Sequence, residues 1–208
     1  MTGYNGYLDN CFGLTGAIAT GKSEVSKMLQ EMGAYIIDTD HIARDVVKPG
    51  QPALREIIDS FDADVLNPDG TLNRERMREQ IIRDPGKRDK LNSITHPRIN
   101  HIVMRLVADH RRHDGMPVII DVPLLYESGW DKFFPDVILV YTPVPIQIER
   151  LMARDRLDRN TAELTIKAQM SIEDKKQRAA YVIDNSGSLE ETRVQVEKLF
   201  PRLCRRFV

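Results

Sequence analysis

A glycine-rich loop near the start of the sequence places the strongest constraint on the fold. Residues 16–23 read Gly-Ala-Ile-Ala-Thr-Gly-Lys-Ser and match the complete pattern G-x-x-x-x-G-K-[ST]. The loop follows a short apolar segment and precedes apolar residues at helical spacing, which Gly33 would bring to an end. Between a strand and a helix, such a loop directs backbone N–H groups towards phosphate oxygens. The sequence therefore predicts a nucleotide-binding P-loop.

Two residues of the P-loop have side chains with expected roles. Lys22 would reach the β and γ phosphates, and the Ser23 hydroxyl would bind Mg²⁺. The alternative is an ordinary glycine-rich turn, and the position between a strand and a helix argues against it. The guanine-reading sequence Asn-Lys-x-Asp does not occur, so ATP is the expected nucleotide.

Apolar, β-branched segments alternate with helical patterns along the chain, which is typical of an α/β fold with a parallel sheet. The predicted strands are residues 11–15, 35–38, 118–121, 137–141 and 181–183. Residues 39–117 are far longer than one crossover requires. They predict a helical insertion with turns at 49–50, 67–70 and 84–86. Residues 144–180 are helical and rich in charge, which suggests a mobile flap.

Carboxylates follow two of the predicted strands, at the edge where α/β folds bind ligands. Asp38 and Asp40 follow the second strand, where one carboxylate would orient Mg²⁺ or accept a proton. The alternative for Asp40 is to cap the helix that begins at His41. Asp121 ends the third strand and is placed to hold a metal through water, although an aspartate before Pro123 is also common in turns.

Most arginines between residues 150 and 178 are expected to lie on solvated helix faces beside acidic partners. Arg154 is the one that we expect to close over the nucleotide. The spacing of the histidines near residues 96–113 lacks the pattern of a zinc site. His96 precedes Pro97 at a predicted helix start, where helix capping and substrate contact both remain open.

Composition excludes several classes of protein. With 30 basic and 31 acidic residues the net charge is −1, which provides no global field for binding nucleic acid or an anionic membrane. Cys11 and Cys204 form neither a disulfide framework nor a zinc motif, and we expect both to act as small buried apolar residues. No apolar run approaches the ~20 residues of a membrane span, and residues 1–10 lack a basic residue. A cytoplasmic protein is expected.

The ordered set of motifs resembles the dephospho-CoA kinase family, from about residue 12 to residue 203. The matching segments are Gly13-Leu14-Thr15-Gly16 running into the P-loop, Asp38-Thr39-Asp40 with Ala43-Arg44, His96-Pro97, Asp121-Val122-Pro123-Leu124-Leu125-Tyr126-Glu127 and Ile183-Asp184-Asn185. The resemblance implies a three-layer P-loop kinase fold with a five-stranded parallel sheet. It also implies a nucleotide-binding core at 11–44, 114–143 and 181–208, a helical acceptor-binding subdomain at 45–113 and a helical lid at 144–180.

The resemblance further implies an activity and a set of site residues. The family transfers the γ-phosphoryl group of ATP to the ribose 3′-hydroxyl of dephospho-CoA, the last step of CoA synthesis. ATP would be held by Gly16, Ile18, Ala19, Thr20, Gly21, Lys22 and Ser23. Asp40 would be the general base. The acceptor would be bound by Asp40, Arg44, His96, Leu124 and Glu127, and the lid matches through Arg154-Asp155, Gln169 and Lys175.

Three positions depart from the family pattern. Ala17 and Arg156 stand where glycine is usual, and Tyr181 stands where aspartate often occurs. These departures bear on the fine shape of the P-loop and of the lid hinge, and hence on affinities rather than on the reaction. Two alternatives remain at this point: a small-metabolite kinase of the shikimate or gluconate type, and a non-catalytic ATP-binding regulator. The kinase is expected to be a monomer or a weak homo-oligomer.

Overall fold

The computed structural model describes residue 8 and residues 11–61, 63–110 and 116–205. Its central sheet has the strand order β2-β3-β1-β4-β5. The strands are β1 (Cys11–Gly16), β2 (Tyr35–Asp38), β3 (Val118–Asp121), β4 (Asp136–Tyr141) and β5 (Tyr181–Asp184). β1 is parallel to β3 and β4, and β4 is parallel to β5. The predicted α/β class is confirmed.

The described residues form two compact units, one from the segments up to Ile37 and from Asp109 onward, the other from Asp38 to Ala108. The first unit contains the sheet with helices on both faces. These helices are α1 (Lys22–Glu31), α6 (Val144–Asp155), α7 (Arg159–Lys167), α8 (Ile172–Arg178) and α9 (Leu189–Cys204). Residues of α1 and α9 pack on one face of the sheet, and Ile172 of α8 packs on the other against Leu139 and Tyr141. Helices cover both faces of the sheet because its strands are apolar on both faces.

The second unit is helical, with α2 (Thr39–Asp45), α3 (Pro52–Ser60), α4 (Arg74–Arg83) and α5 (Pro85–His110). Its buried apolar side chains include Ala53, Leu54, Ile57, Met77, Ile94, Ile99 and Val103. The predicted turns at 49–50 and 67–70 fall between helices. The predicted turn at 84–86 is too long, because only Asp84 separates α4 from α5, which begins at Pro85. Proline suits a first helical turn because its missing N–H has no intrahelical partner there.

The prediction that a helix begins at His96-Pro97 is wrong, because α5 continues through Pro97. Ile94 and Ile99 are buried on either side of the proline, so packing holds the helix together across it. The guanidinium of Arg98 also donates to the carbonyl oxygen of Ile94 in the turn before the proline. His96 therefore lies in the interior of a helix and does not cap a helix start, while its contact with substrate stays a prediction.

Candidate active site

The P-loop is a tight turn between β1 and α1. Gly21 has φ +81°, and Ala19 has φ +61° although it carries a side chain. A Cβ atom on Gly16 would lie 2.5 Å from the hydroxyl of Thr20, so only glycine leaves room for that hydroxyl. Thr20 Oγ1 donates to the carbonyl oxygen of Ala17 at 2.8 Å and closes the loop on itself. These contacts within the loop define its shape.

Buried side chains after β4 and β5 hold the second half of the loop. Asn185 Nδ2 donates to the carbonyl oxygen of Thr20 at 2.7 Å, and Thr142 Oγ1 donates to the same oxygen at 3.2 Å. Asn185 is oriented in turn by Thr192, whose hydroxyl donates to Oδ1 at 2.8 Å. Donors from the protein interior therefore bind the Thr20 carbonyl oxygen. This carbonyl points into the protein, so its partial negative charge does not repel a phosphate.

Residues that follow α7 hold the first half of the loop. The Ile18 amide donates to Gln169 Oε1 at 2.9 Å, and Lys175 Nζ donates to the Gly16 carbonyl oxygen at 3.1 Å. Ile18 and Ala19 also pack against the apolar cluster of α6 and α7. Any contact between the Ile18 amide and ATP, as expected from the sequence, therefore requires Gln169 to release that amide.

Lys22 and Asp121, both predicted as site residues, form an ion pair. Lys22 begins α1, and Asp121 ends β3, which is the neighbour of β1 in the sheet. The two side chains are 18% and 7% exposed. Ser23 is exposed in the first turn of α1, beside Lys22 in the sequence. The fold thus brings the cation of the P-loop to a strand-end carboxylate at the carboxyl edge of the sheet.

Asp38, and not Asp40, caps helix α2. Asp38 Oδ1 accepts from the Asp40 amide at 2.8 Å and from the His41 amide at 3.1 Å, so Asp38 is the N-cap of α2. The alternative role of Asp40 as the N-cap is wrong, because the helix begins at Thr39. Asp40 and Arg44 are both exposed and lie four residues apart, on one side of α2. The Asp40 carboxylate is left for other chemistry.

The remaining predicted acceptor residues have different surroundings. His96 is half-buried in the second unit, and burial lowers the pKa of its imidazole. Leu124 is 45% exposed in the first unit. The Glu127 carboxylate is engaged, since Oε1 lies 2.7 Å from Lys175 Nζ and accepts from the Met170 amide at 3.1 Å.

The lid arginines separate into exposed and buried ones. Arg154 is exposed, and its guanidinium makes two hydrogen bonds to the carboxylate of Asp155, at 2.7 and 2.8 Å. Arg150 is half-buried and donates to the Asn185 carbonyl oxygen at 2.8 Å. Sequence reasoning gave no role to Arg150, Thr142 or the Asn185 side chain. The sequence offered one signal for Thr142 and Asn185, since each directly follows an apolar strand.

The described part of the chain contains no group of three His, Cys, Asp or Glu side chains that would hold a metal ion by themselves. Ser23 and Asp121 offer hydroxyl and carboxylate oxygens, which are the ligands that Mg²⁺ prefers. Mg²⁺ keeps several waters and shares phosphate oxygens, so two protein ligands fit this ion. None of the helices in the described ranges has the length and apolar character to cross a bilayer.

Comparisons with known proteins agree with one another. The family model "Dephospho-CoA kinase" matches residues 10–191. A dephospho-CoA kinase of Symbiobacterium thermophilum is 44% identical over 192 residues, 92% of this chain and 80% of the relative. The crystal structure of TT1252 from Thermus thermophilus is 28% identical with a TM-score of 0.78, and covers 92% of this chain and 96% of its own. A dephospho-CoA kinase structure from Campylobacter jejuni is 25% identical with a TM-score of 0.69, and covers 95% and 98%.

Proposed function

The chain belongs to the dephospho-CoA kinase family, and on that premise we propose that it transfers the γ-phosphoryl group of ATP to the ribose 3′-hydroxyl of dephospho-CoA. The products are CoA and ADP, and the reaction is the last step of CoA biosynthesis. The chain is thus a kinase with ATP as its co-substrate. The observation that carries the proposal is the complete P-loop, which joins β1 to α1 and brings Lys22 to Asp121.

The P-loop binds the phosphates of ATP in this proposal. Backbone amides of residues 18–23 and the positive end of α1 attract the phosphate oxygens. Lys22 exchanges its contact with Asp121 for the β and γ phosphates, so that its charge follows the transferring group. Gly16 and Gly21 keep the backbone in the shape that this binding requires.

Magnesium completes the proposed nucleotide site. The Ser23 hydroxyl and the Asp121 carboxylate would hold the ion, which supplies charge stabilisation to the β and γ phosphates when it is bound. Only 7% of the Asp121 side chain is exposed, so the surrounding protein restricts its orientation.

The acceptor is proposed to contact Asp40, Arg44, His96 and Leu124, four of the five residues that the family pattern implies. The fifth, Glu127, is bound to Lys175 and to the Met170 amide. Asp40 takes or orients the proton of the 3′-hydroxyl during in-line transfer. Its carboxylate is exposed at the start of α2, and the capping of that helix is carried by Asp38. Arg44 lies on the same side of α2 and suits an anionic group of the acceptor, because a guanidinium binds phosphate in a forked geometry.

Arg154 is proposed to stabilise the transferring phosphoryl group when the lid closes. The two hydrogen bonds to Asp155 hold its guanidinium at the surface of α6, in an exposed position. An exposed ion pair contributes little stability, so the exchange of Asp155 for phosphate costs little. Lid closure also excludes water, which would otherwise compete with the 3′-hydroxyl.

The experiment that tests this function is coupled ADP release from purified protein with Mg-ATP. Dephospho-CoA, shikimate, gluconate and no acceptor are compared, and the position of the new phosphate is found by phosphorus NMR of the product. We expect release that depends on dephospho-CoA, with the phosphate on the 3′ oxygen. Release with shikimate or gluconate alone would point to another small-metabolite kinase. ATP binding without acceptor-dependent release would point to a regulator.

A further inference from the structure

Lys175 carries a charge in a place where lysine is rarely found. Its side chain has no solvent exposure, whereas lysine is almost never fully buried unless it is paired. Nζ has two partners, the carbonyl oxygen of Gly16 at 3.1 Å and Glu127 Oε1 at 2.7 Å. Gly16 is the last residue of β1 and the first of the P-loop. The buried ammonium group is thus bound to the entrance of the nucleotide site.

A second contact from the same segment reaches the next peptide of the loop. Gln169 Oε1 accepts from the Ile18 amide at 2.9 Å. The Met170 amide donates to the same Glu127 oxygen that faces Lys175, at 3.1 Å. Residues 169–175 therefore bind one carbonyl and one amide of the P-loop entrance, and Glu127 links both ends of this segment.

We propose that Lys175 is a positioning residue for ATP and that Glu127 acts through it. Because the Lys175 side chain is enclosed, it reaches no nucleotide and acts on the loop alone. The peptide bond is planar, so a fixed Gly16 carbonyl fixes the plane of the first peptide of the loop and the direction in which the backbone continues to residues 18–23. Glu127 pairs with the ammonium group and aims it at that carbonyl. This inference rests on the proposed function for its kinetic readout.

The inference separates two roles for Glu127 that differ in their kinetic signature. A Glu127 that contacts the acceptor would change the KM for dephospho-CoA. A Glu127 that acts through Lys175 would change the affinity for ATP and ADP and leave the KM for dephospho-CoA as it is. Its observed partners, Lys175 Nζ and the Met170 amide, favour the second role.

The test compares Lys175→Met, Glu127→Gln and the double variant, which carries no unbalanced buried charge. Lys176→Met is the matched control, because Lys176 is the neighbouring lysine and is exposed. We measure the affinity for Mg-ADP by calorimetry, kcat/KM for ATP, the KM for dephospho-CoA and the thermal midpoint. A small displacement of positioned groups costs about 10²-fold, so we expect losses of that order in ADP affinity and in kcat/KM for ATP.

The results for the single and double variants show whether Glu127 acts through Lys175. The double variant should lose no more ADP affinity than Lys175→Met, since coupled residues are not additive. Lys176→Met should match the wild type, and the KM for dephospho-CoA should be constant throughout. The inference would be overturned by a folded double variant with wild-type ADP affinity, or by losses of ADP affinity in the two single variants that add up in the double variant. It would also be overturned if Glu127→Gln changed only the KM for dephospho-CoA.

One further variant tests the inference if the Lys175 variants do not fold. Glu127→Asp keeps a carboxylate beside Lys175 but shortens the side chain, which withdraws the oxygen that lies 2.7 Å from Nζ. We expect it to weaken Mg-ADP binding, and wild-type binding in this variant would overturn the inference. ADP affinity is read without an acceptor. A wild-type protein that lacks dephospho-CoA-dependent turnover would therefore refute the proposed function and leave this test valid.

Discussion

Asn185 Nδ2 fills the space into which a Cβ atom on Gly21 would project. The same nitrogen donates to the Thr20 carbonyl oxygen at 2.7 Å, so the loop and the strand-end asparagine fit together only when residue 21 is glycine. Gly21 also has φ +81°, a left-handed conformation that side chains disfavour. Two independent constraints thus act on one residue of the P-loop.

A Gly21→Ala substitution should separate these two constraints when compared with Gly70→Ala. Gly70 has φ +80°, yet nothing lies within 4 Å of its Cβ position. Both variants should lose about 1–2 kcal/mol of folding free energy from the backbone alone, as measured by urea unfolding. Only Gly21→Ala should also lose ADP affinity, by about 10²-fold, because Asn185 must move. Equal ADP affinity in the two variants would contradict this account.

Lys22→Ala should abolish measurable turnover. Lys22 is the single side-chain cation of the P-loop, and it is held at the site by Asp121. Loss of one group that stabilises charge in a transition state typically costs about 10²–10³-fold in kcat, so we expect at least that decrease. Lys27→Ala, an exposed lysine in the same helix, serves as the control in the coupled ADP assay. A Lys22→Ala enzyme with wild-type kcat would remove Lys22 from the mechanism.

Asp38 and Asp40 should give opposite results, although they are two residues apart. Asp40→Asn keeps the size of the side chain and should lower kcat by about 10²-fold, the usual effect of losing a general base. Its thermal midpoint should match the wild type, because Asp38 carries the cap. Asp38→Ala should cost about 1 kcal/mol of folding free energy through loss of two hydrogen bonds to backbone amides. An Asp40→Asn enzyme with near-normal kcat would refute the base assignment.

His96 should make stability depend on pH in a defined direction. Burial lowers the pKa of His96 from 6.5, so the folded protein binds fewer protons than the unfolded chain at mildly acid pH. The contribution of His96 to the free energy of unfolding is therefore fully present above the pKa of the unfolded chain. It is lost as the pH falls through the lower pKa of the folded protein. Urea unfolding of the wild type should show this loss, and His96→Gln should reduce it. His101→Gln, an exposed histidine in the same helix, should retain the wild-type slope.

The strands and the P-loop could be predicted because each depends on local patterns. Five apolar segments and one motif were sufficient, and the predicted strand ends lie within one residue of the observed ones. The continuation of α5 through Pro97 could not be predicted, since the proline is a local stop signal whereas the burial of Ile94 and Ile99 is a property of the folded unit. The contact of Lys175 with Gly16 joins residues 159 positions apart, so no local pattern reports it.

The strand order also determines when the nucleotide site is completed during synthesis. β1 is made early, yet its partners β3 and β4 begin at Val118 and Asp136, and the Asn185 that secures Thr20 comes later still. Contacts of such sequence separation form slowly, because long loops must close first. A ribosome that has translated half of this sequence therefore displays a P-loop motif without the contacts that come from β3, β4 and Asn185. The full set of contacts that hold the Thr20 carbonyl exists only after Asn185 has been made.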